Sequence, residues 1–138
     1  MPAFPLIAGQ RGLATRAQLR AAGWSDGAIR HLAEATGQRP FPGVFAPHRG
    51  GLSPDELLVG ASLWAGEHAA LTGAHALRLL GADVPRLPPT VRFLIPDGLY
   101  VPAAPGAQVR RTTRFPRTRT VGGLRVASLE RALCDTAR

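Results

Sequence analysis

Residues 12–32 read GLATRAQLRAAGWSDGAIRHL, and they predict the fold of the N-terminal part of the chain. Thr15 and Gln18 have the spacing of a capping box, which predicts that a helix over about residues 14–22 begins here. Gly23 can end that helix, because glycine readily adopts the left-handed conformation that a helix terminus often needs.

A second helix is predicted directly after this glycine, over about residues 25–36. Ser25 has the side chain of a helix N-cap. Trp24, just before the cap, is placed to pack on Ile29 as a hydrophobic staple. Two helices joined by a short glycine-containing turn are typical of a helix-turn-helix, whose second helix enters the DNA major groove.

The residues after the second helix favour a winged helix-turn-helix. Gly37 is expected to end the helix, and residues 39–46 (RPFPGVFA) then supply a basic residue, a Pro-Gly turn and a short apolar strand. A helical hairpin that serves only the architecture of a small domain would also need caps, a glycine turn and apolar contacts. The order helix, turn, helix, hairpin tips the balance towards DNA binding.

The remainder of the chain reads as a small mixed α/β domain, so the expected fold class is α+β. Ser53 and Glu56 form a second capping box, followed by a helix with Leu57, Ala61 and Trp64 on one face. Further elements are predicted as a helix over 72–80, strands over 90–95, 109–113 and 124–127, and a last helix from Ser128 to Arg138. The expected domains are residues 1–49 and 50–138, with residues 47–51 as the linker.

Composition points to a polyanionic partner. The chain has 138 residues, is 45% hydrophobic and carries a net charge of +8, with arginine as its basic residue and no lysine. Arginine offers a planar fork suited to phosphate, and a strongly basic chain favours nucleic acid. A GC-rich genome would also favour arginine over lysine, which explains the residue type, whereas the excess charge needs a partner or a role in solubility.

No catalytic, cofactor or metal site is predicted. The missing lysine removes the phosphate-loop, Schiff-base and carboxylate–lysine mechanisms, and the carboxylates are scattered. The four histidines lack metal-ligand spacing. The single cysteine, Cys134, excludes an internal disulfide and is expected to be a small core residue. With no apolar run of membrane-spanning length, the expected location is the cytoplasm, with no membrane partner.

Residues 110–119 (RRTTRFPRTR) are the densest basic segment, with five arginines. Threonine hydroxyls and one phenylalanine are interleaved with them, so the segment could follow a phosphate backbone. It could equally be an exposed edge strand that its charges protect from pairing with other strands.

The chain resembles the AbiEi-type antitoxins of type IV toxin–antitoxin (abortive-infection) systems. The resemblance lies in the opening residues 13–16, the turn 23–25, the pair Ile29–Arg30 and the segment 42–45. It continues more weakly through residues 52–54, 72–81 and 126–135. It implies an N-terminal winged helix that regulates transcription, and a second domain with the antitoxin function.

The expected function is therefore that of a non-enzymatic transcriptional regulator that binds double-stranded DNA. A cognate toxin or a second copy of the chain would be a further partner. Two alternatives remain: a protein-interaction module with an architectural helix-turn-helix, and the non-catalytic N-terminal part of a longer nuclease-like protein. The candidate DNA-binding residues are Arg16, Arg20, Arg30, His31, Arg39, Arg110, Arg111, Arg114, Arg117 and Arg119.

Overall fold

A computed structural model of the chain describes residues 2–137. These residues form five α-helices and two β-sheets, so the α+β class expected from the sequence is confirmed. The chain divides into two compact units, the first ending at Trp64 and the second beginning at Ala65. The division falls at the last residue of the helix Pro54–Ala65, whereas the sequence placed it before that helix, between residues 49 and 50.

The first unit contains two short helices and a three-stranded antiparallel sheet, ordered β1-β3-β2. Its elements are β1 Ala14–Thr15, α1 Arg16–Ala21, α2 Asp26–His31, β2 Gln38–Phe41, β3 Val44–Ala46 and α3 Pro54–Ala65, the last of which reaches the second unit. The predicted helix over 25–36 is present, but after α2 it continues as a π-helical segment, Leu32–Thr36.

The starts of α1 and α2 are capped as the sequence predicts. Thr15 Oγ1 accepts the backbone N–H of Gln18 at 3.2 Å, and Gln18 Oε1 accepts that of Thr15 at 2.9 Å. Ser25 Oγ accepts the backbone N–H of Ala28 at 3.1 Å. Gly23 has φ +96°, the left-handed conformation expected at the turn. These local bonds satisfy N–H groups that have no partner within the helix.

The core of the first unit joins both helices to the hairpin. Leu19, Ile29 and Phe45 are at most 1% exposed and belong to one cluster with Trp24. The Trp24 indole N–H donates to the carbonyl of Ala3 at 3.2 Å, so its one polar atom has a partner. Trp24 and Ile29 thus share the core, as the predicted staple requires.

Gly37 ends the second helix for a steric reason. Its φ of −135° is open to other residues, but a Cβ here would lie 2.2 Å from the carbonyl oxygen of Ala46 and 2.8 Å from Leu32 Cδ1. Only glycine lets β2 begin this close to β3. The hairpin that follows turns at Gly43, which has φ +74°.

The start of α3 is also as predicted, with Ser53 and Glu56 bonded reciprocally at 2.8 and 3.1 Å. The predicted apolar face is wrong in part, because Leu57 is 41% exposed whereas Ala61 and Trp64 are buried. Gly60 lies on the buried face, where a Cβ would come within 3.1 Å of the Phe41 ring. This contact with the hairpin explains why α3 belongs with the first unit.

The second unit is a five-stranded mixed sheet, ordered β6-β5-β4-β8-β7, with two helices. Its elements are β4 Ala70–Thr72, α4 Gly73–Leu79, β5 Val91–Pro96, β6 Ala107–Thr112, β7 Thr118–Val121, β8 Leu124–Ala127 and α5 Leu129–Thr136. β4 and β7 were not predicted. α5 ends two residues before the expected Arg138, which itself lies outside the described residues.

Strand register sorts the side chains of this sheet onto two faces, because successive residues of a strand alternate. Thr72 lies opposite Arg92, and Leu94 lies opposite Arg110. We call the face that carries these four residues the α5 face, because Thr72 Oγ1 donates to Asp135 of α5 at 2.7 Å. The other face carries the fully buried Leu71, Phe93, Ile95 and Val126.

Candidate nucleic-acid interface

An open groove of about 700 Å³ lies in the first unit, between the second helix and the hairpin. One side is formed by α2 with the π-helical segment, and the other by β2, β3 and the start of α1. Its charged lining residues are Arg16, Asp26, Arg30, Glu34, Arg39 and Arg49. Four positive and two negative side chains leave the lining with a net charge of +2.

Arg30 and Arg39 are the two arginines of the groove best placed to meet an anion. Both are exposed, Arg30 in the last turn of α2 and Arg39 on the edge strand β2. Within residues 2–137, neither guanidinium has a hydrogen bond or an ion pair. Both were candidates from the sequence, and the structure brings them into one groove.

Arg16 and Arg20 share a carboxylate. Both guanidinium groups pair with Oδ1 of Asp26, Arg20 in direct contact and Arg16 at 4.0 Å. The Arg16 guanidinium also lies 5.4 Å from the centre of the Phe45 ring. The three charged side chains are about half exposed or more, and such surface pairs contribute little to stability. A phosphate could therefore replace Asp26 as their partner at small cost.

His31, which is also a candidate DNA-binding residue, is not among the residues that line the groove. It is exposed on α2, but successive residues of a helix point in directions about 100° apart. Its side chain therefore lies outside the lining of this groove, and its contact with DNA stays a prediction.

Arg49 lines the groove and was missed, because it lies in the segment predicted to be a linker. Its Nη1 donates to the carbonyls of Glu34 at 3.1 Å and Gly37 at 3.3 Å. Carbonyls at a helix end have no partner within the helix, so a distant arginine satisfies them. Gln38 Nε2 also holds this segment, donating to the carbonyls of His48 and Gly50. No signal within the linker itself indicates these bonds.

The second basic region, residues 110–119, does not form one strip. Arg110 and Arg111 lie on edge strand β6, where they point to opposite faces of the sheet. Arg119 lies on β7 at the other edge, about 19 Å away across four strand spacings. The predicted edge strand is confirmed for β6, but the five arginines are distributed over two edges and a connecting loop.

The loop between β6 and β7 packs on the α5 face. Phe115 contacts the cluster of Ala70, Leu94 and Ala127. Arg125, which was not a candidate, lies with its guanidinium 5.4 Å from the Phe115 ring centre. The Arg131 guanidinium donates to the carbonyl of Arg114 at 3.2 Å, so the loop is held from two sides.

Asp135 is a buried carboxylate that the sequence did not single out. It is 3% exposed, accepts a hydrogen bond from Thr72 Oγ1 and pairs with Arg131 Nε at 3.2 and 3.3 Å. Its neighbour Cys134 is exposed, so the expectation of a core cysteine was wrong. Asp135 occupies the inward position of the helix, and the preceding residue therefore points away from the sheet.

Two titratable groups elsewhere have shifted acidity. Burial lowers the pKa of His75, and the nearby Arg78 charge lowers the same pKa further. The backbone N–H of Ser53 donates to the Glu56 carboxylate and lowers its pKa. In residues 2–137, histidine, cysteine and carboxylate side chains do not come together in groups of three or more that could bind a metal ion.

None of the helices within the described residues is both long enough and apolar enough to cross a membrane. No protein-family model and no curated protein sequence matches the chain. The resemblance to AbiEi-type antitoxins therefore depends on the residues quoted above.

Proposed function

We propose that this chain is a DNA-binding transcriptional regulator of the AbiEi antitoxin type, with a winged helix-turn-helix in its first unit. The observation that carries the proposal is the groove between the second helix and the hairpin. It holds two exposed arginines, Arg30 and Arg39, that have no partner in the described part of the chain. The element order α1, α2, β2, β3 supports the same assignment.

In this proposal the residues of the groove have distinct roles. Arg30, on the exposed side of α2, contacts base edges in the major groove. Arg39 on β2 contacts the phosphate backbone, and Arg16 and Arg20 exchange Asp26 for a phosphate when DNA binds. Arg49 holds the end of the second helix against the hairpin, through the carbonyls of Glu34 and Gly37.

The second unit supplies phosphate contacts and partner contacts in this scheme. Arg110 and Arg114 are closest to a shared surface, because Arg110 lies on the α5 face and the loop of Arg114 packs on it. Arg117 is exposed in the same loop, and Arg119 would act from the opposite edge. A cognate toxin or a second copy of the chain is the proposed protein partner. The protein would perform no chemistry and would act in the cytoplasm.

A protein-interaction module remains the second candidate, because Asp26 and Glu34 line the same groove. Two carboxylates lower the affinity of a surface for phosphate and are suited to a mixed-charge protein partner. Under this reading the helix-turn-helix only supports the fold.

Binding of the chain to the DNA upstream of its own reading frame, measured by fluorescence anisotropy at two salt concentrations, separates these candidates. A scrambled duplex of the same length is the reference. The regulator binds the upstream DNA more tightly than the scrambled duplex, and both affinities fall as salt rises. Equal, weak binding to both duplexes would reject the regulator and favour the interaction module.

Arg39→Ala tests the role of the groove in the same assay. Loss of one phosphate contact should decrease the magnitude of the slope of log K against log salt by about 0.9 on both duplexes. Arg86→Ala is the matched control, because Arg86 is an exposed arginine in a loop of the second unit, outside the groove. An equal change in both variants would show an effect of net charge alone.

A further inference from the structure

A separate cleft of about 230 Å³ opens on the α5 face of the second unit. Three neighbouring strands place Thr72, Arg92 and Gln108 in one row across this face. Arg110 lies one same-face position further along β6, and Asp135 closes the cleft from α5. Four of these side chains offer hydrogen-bond donors, and two of the four are guanidinium groups.

The Asp135 carboxylate in this cleft already has hydrogen-bond partners within the chain. Asp135 is 3% exposed, and its two oxygens accept from Thr72 Oγ1 and from Nε of Arg131. Arg131 thus balances the charge of Asp135, and the exposed Arg110 guanidinium contributes a positive charge at the opening. Guanidinium and amide donors are the wrong groups for a metal cation and the right ones for an anion.

Arg92 and Arg110 differ in how firmly they are held. Arg92 Nη1 donates to the main-chain carbonyl of Asp135 at 2.7 Å, which fixes its guanidinium at the end of α5. Arg110 is exposed and has no hydrogen bond or ion pair within residues 2–137, and the same is true of the Gln108 side chain. One anchored cation therefore stands beside a second cation and an amide that can close on a ligand.

We propose that this cleft binds a small oxyanion, a phosphate or carboxylate group, through Arg110 and Gln108. The planar fork of arginine matches two oxygens of such a group. The volume of about 230 Å³ lies below the range of about 300–1,000 Å³ typical of pockets for drug-sized ligands. A single anionic group therefore fits better than a whole larger ligand. The proposal is independent of DNA binding by the first unit.

Isothermal titration at constant ionic strength tests the proposal, with inorganic phosphate, AMP and succinate as probes. At least one probe should bind the wild-type chain with one site. Arg110→Ala and Gln108→Ala should weaken that binding, Arg110→Ala by about tenfold or more. Arg110→Lys keeps the charge but loses the fork, so it should bind with an affinity between wild type and Arg110→Ala.

Arg86→Ala is the matched control, since it removes the same charge from an exposed loop of the second unit that does not line the cleft. It should bind the probe as the wild type does. Binding by phosphate and AMP alone identifies a phosphate site, and binding by succinate alone identifies a carboxylate site. Both outcomes support the proposal.

Three results would overturn it: no binding of any probe, equal weakening in Arg110→Ala and Arg86→Ala, or binding of a DNA duplex at Arg110 with none of the small anions. Arg30→Ala separates this proposal from the DNA-binding one, because it should leave anion binding unchanged whether or not the first unit binds DNA. Thermal unfolding of each variant without ligand checks that the fold is intact.

Discussion

The groove of the first unit and the segment 110–119 of the second are both basic, but they are built in opposite ways. In the groove, arginines that are far apart in the sequence, such as Arg16, Arg30 and Arg49, converge on one surface. In the segment, five arginines that are close in the sequence separate to two sheet edges and a loop. Density of charge along a chain is therefore a poor guide to density of charge in space.

The contrast also concerns what holds each region in place. The groove depends on a close approach of backbones at Gly37 and on the caps of α2. The second region depends on a buried polar cluster at Asp135, which ties α5 to β4 and, through Arg131, to the loop after β6. Each support can be removed separately.

The largest effect is expected from Gly37→Ala, which removes the frame of the groove. The new Cβ would lie 2.2 Å from the Ala46 carbonyl oxygen, a backbone atom that cannot simply move aside. We expect a loss of about 3 kcal/mol in the free energy of unfolding, measured with urea. Gly51→Ala is the control, because its Cβ meets nothing within 4 Å. Equal stability of the two variants would contradict the proposed steric requirement.

A somewhat smaller loss is expected from Asp135→Ala, which removes the anchor of the second region. Thr72 and Arg131 would each lose a partner, and a buried unsatisfied group costs about 2 kcal/mol. Urea unfolding measures the loss. Glu130→Ala is the matched control, since Glu130 is an exposed carboxylate on the same helix. A variant as stable as this control would mean that the cluster does not stabilise α5.

A triple variant, with Arg110, Arg111 and Arg114 each changed to Ala, tests whether the second basic region contributes phosphate contacts. The Arg111 guanidinium donates to the carbonyl of Leu99 at 2.7 Å, on the face away from α5. Only Arg110 and Arg114 are therefore expected to contact phosphate. Without them, the slope of log K against log salt should decrease in magnitude by about 1.8, the value for two phosphates. The affinity for all DNA sequences should decrease by the same factor. Unchanged affinity and slope would identify the segment as a solvated edge without phosphate contacts.

The single variant Arg111→Ala is the control for the expected number of phosphate contacts. It should leave the salt slope as in the wild type, since Arg111 does not share a surface with Arg110. A slope that falls equally for either single substitution would show that the sheet geometry does not select among these arginines.

The smallest effect concerns pH and His75 in the second unit. Its pKa is lowered in the folded chain, so the unfolded chain binds a proton first as the pH falls below about 6.5. The contribution of His75 to stability is complete above that pH and declines as the pH falls towards the lowered folded pKa. The free energy of unfolding, measured with urea, should decrease less between pH 7.5 and pH 5.5 for His75→Gln than for the wild type. An equal loss in both would exclude His75 as a cause.

Local signals in the sequence were sufficient for the caps, the turn and the hairpin. Thr15, Ser25 and Ser53 bond to groups three residues away, so spacing alone reveals them. The same signals could not reveal strand β7, because Thr118–Val121 alternates threonine with arginine and becomes a strand only through pairing with β8. The short β4 likewise needs neighbours on both sides.

The candidate site was predictable only where local structure decides it. Arg30 and Arg39 were identified from the helix and the hairpin, and both reach the groove. Arg49 escaped notice because its partners, the carbonyls of Glu34 and Gly37, lie at least 12 positions earlier. Thr72 and Asp135 are 63 positions apart, and no periodicity connects them.

Whether the groove of the first unit reads the DNA sequence is tested most directly by comparing wild type with Arg30→Ala. For each protein, the affinity for the upstream DNA is compared with the affinity for a scrambled duplex. We expect Arg30→Ala to reduce the difference in binding free energy between the two duplexes by about 1–3 kcal/mol, the value of one bidentate base contact. Arg86→Ala should leave that difference unchanged. If Arg30→Ala discriminates as well as the wild type, the second helix does not read the DNA sequence and the claim fails.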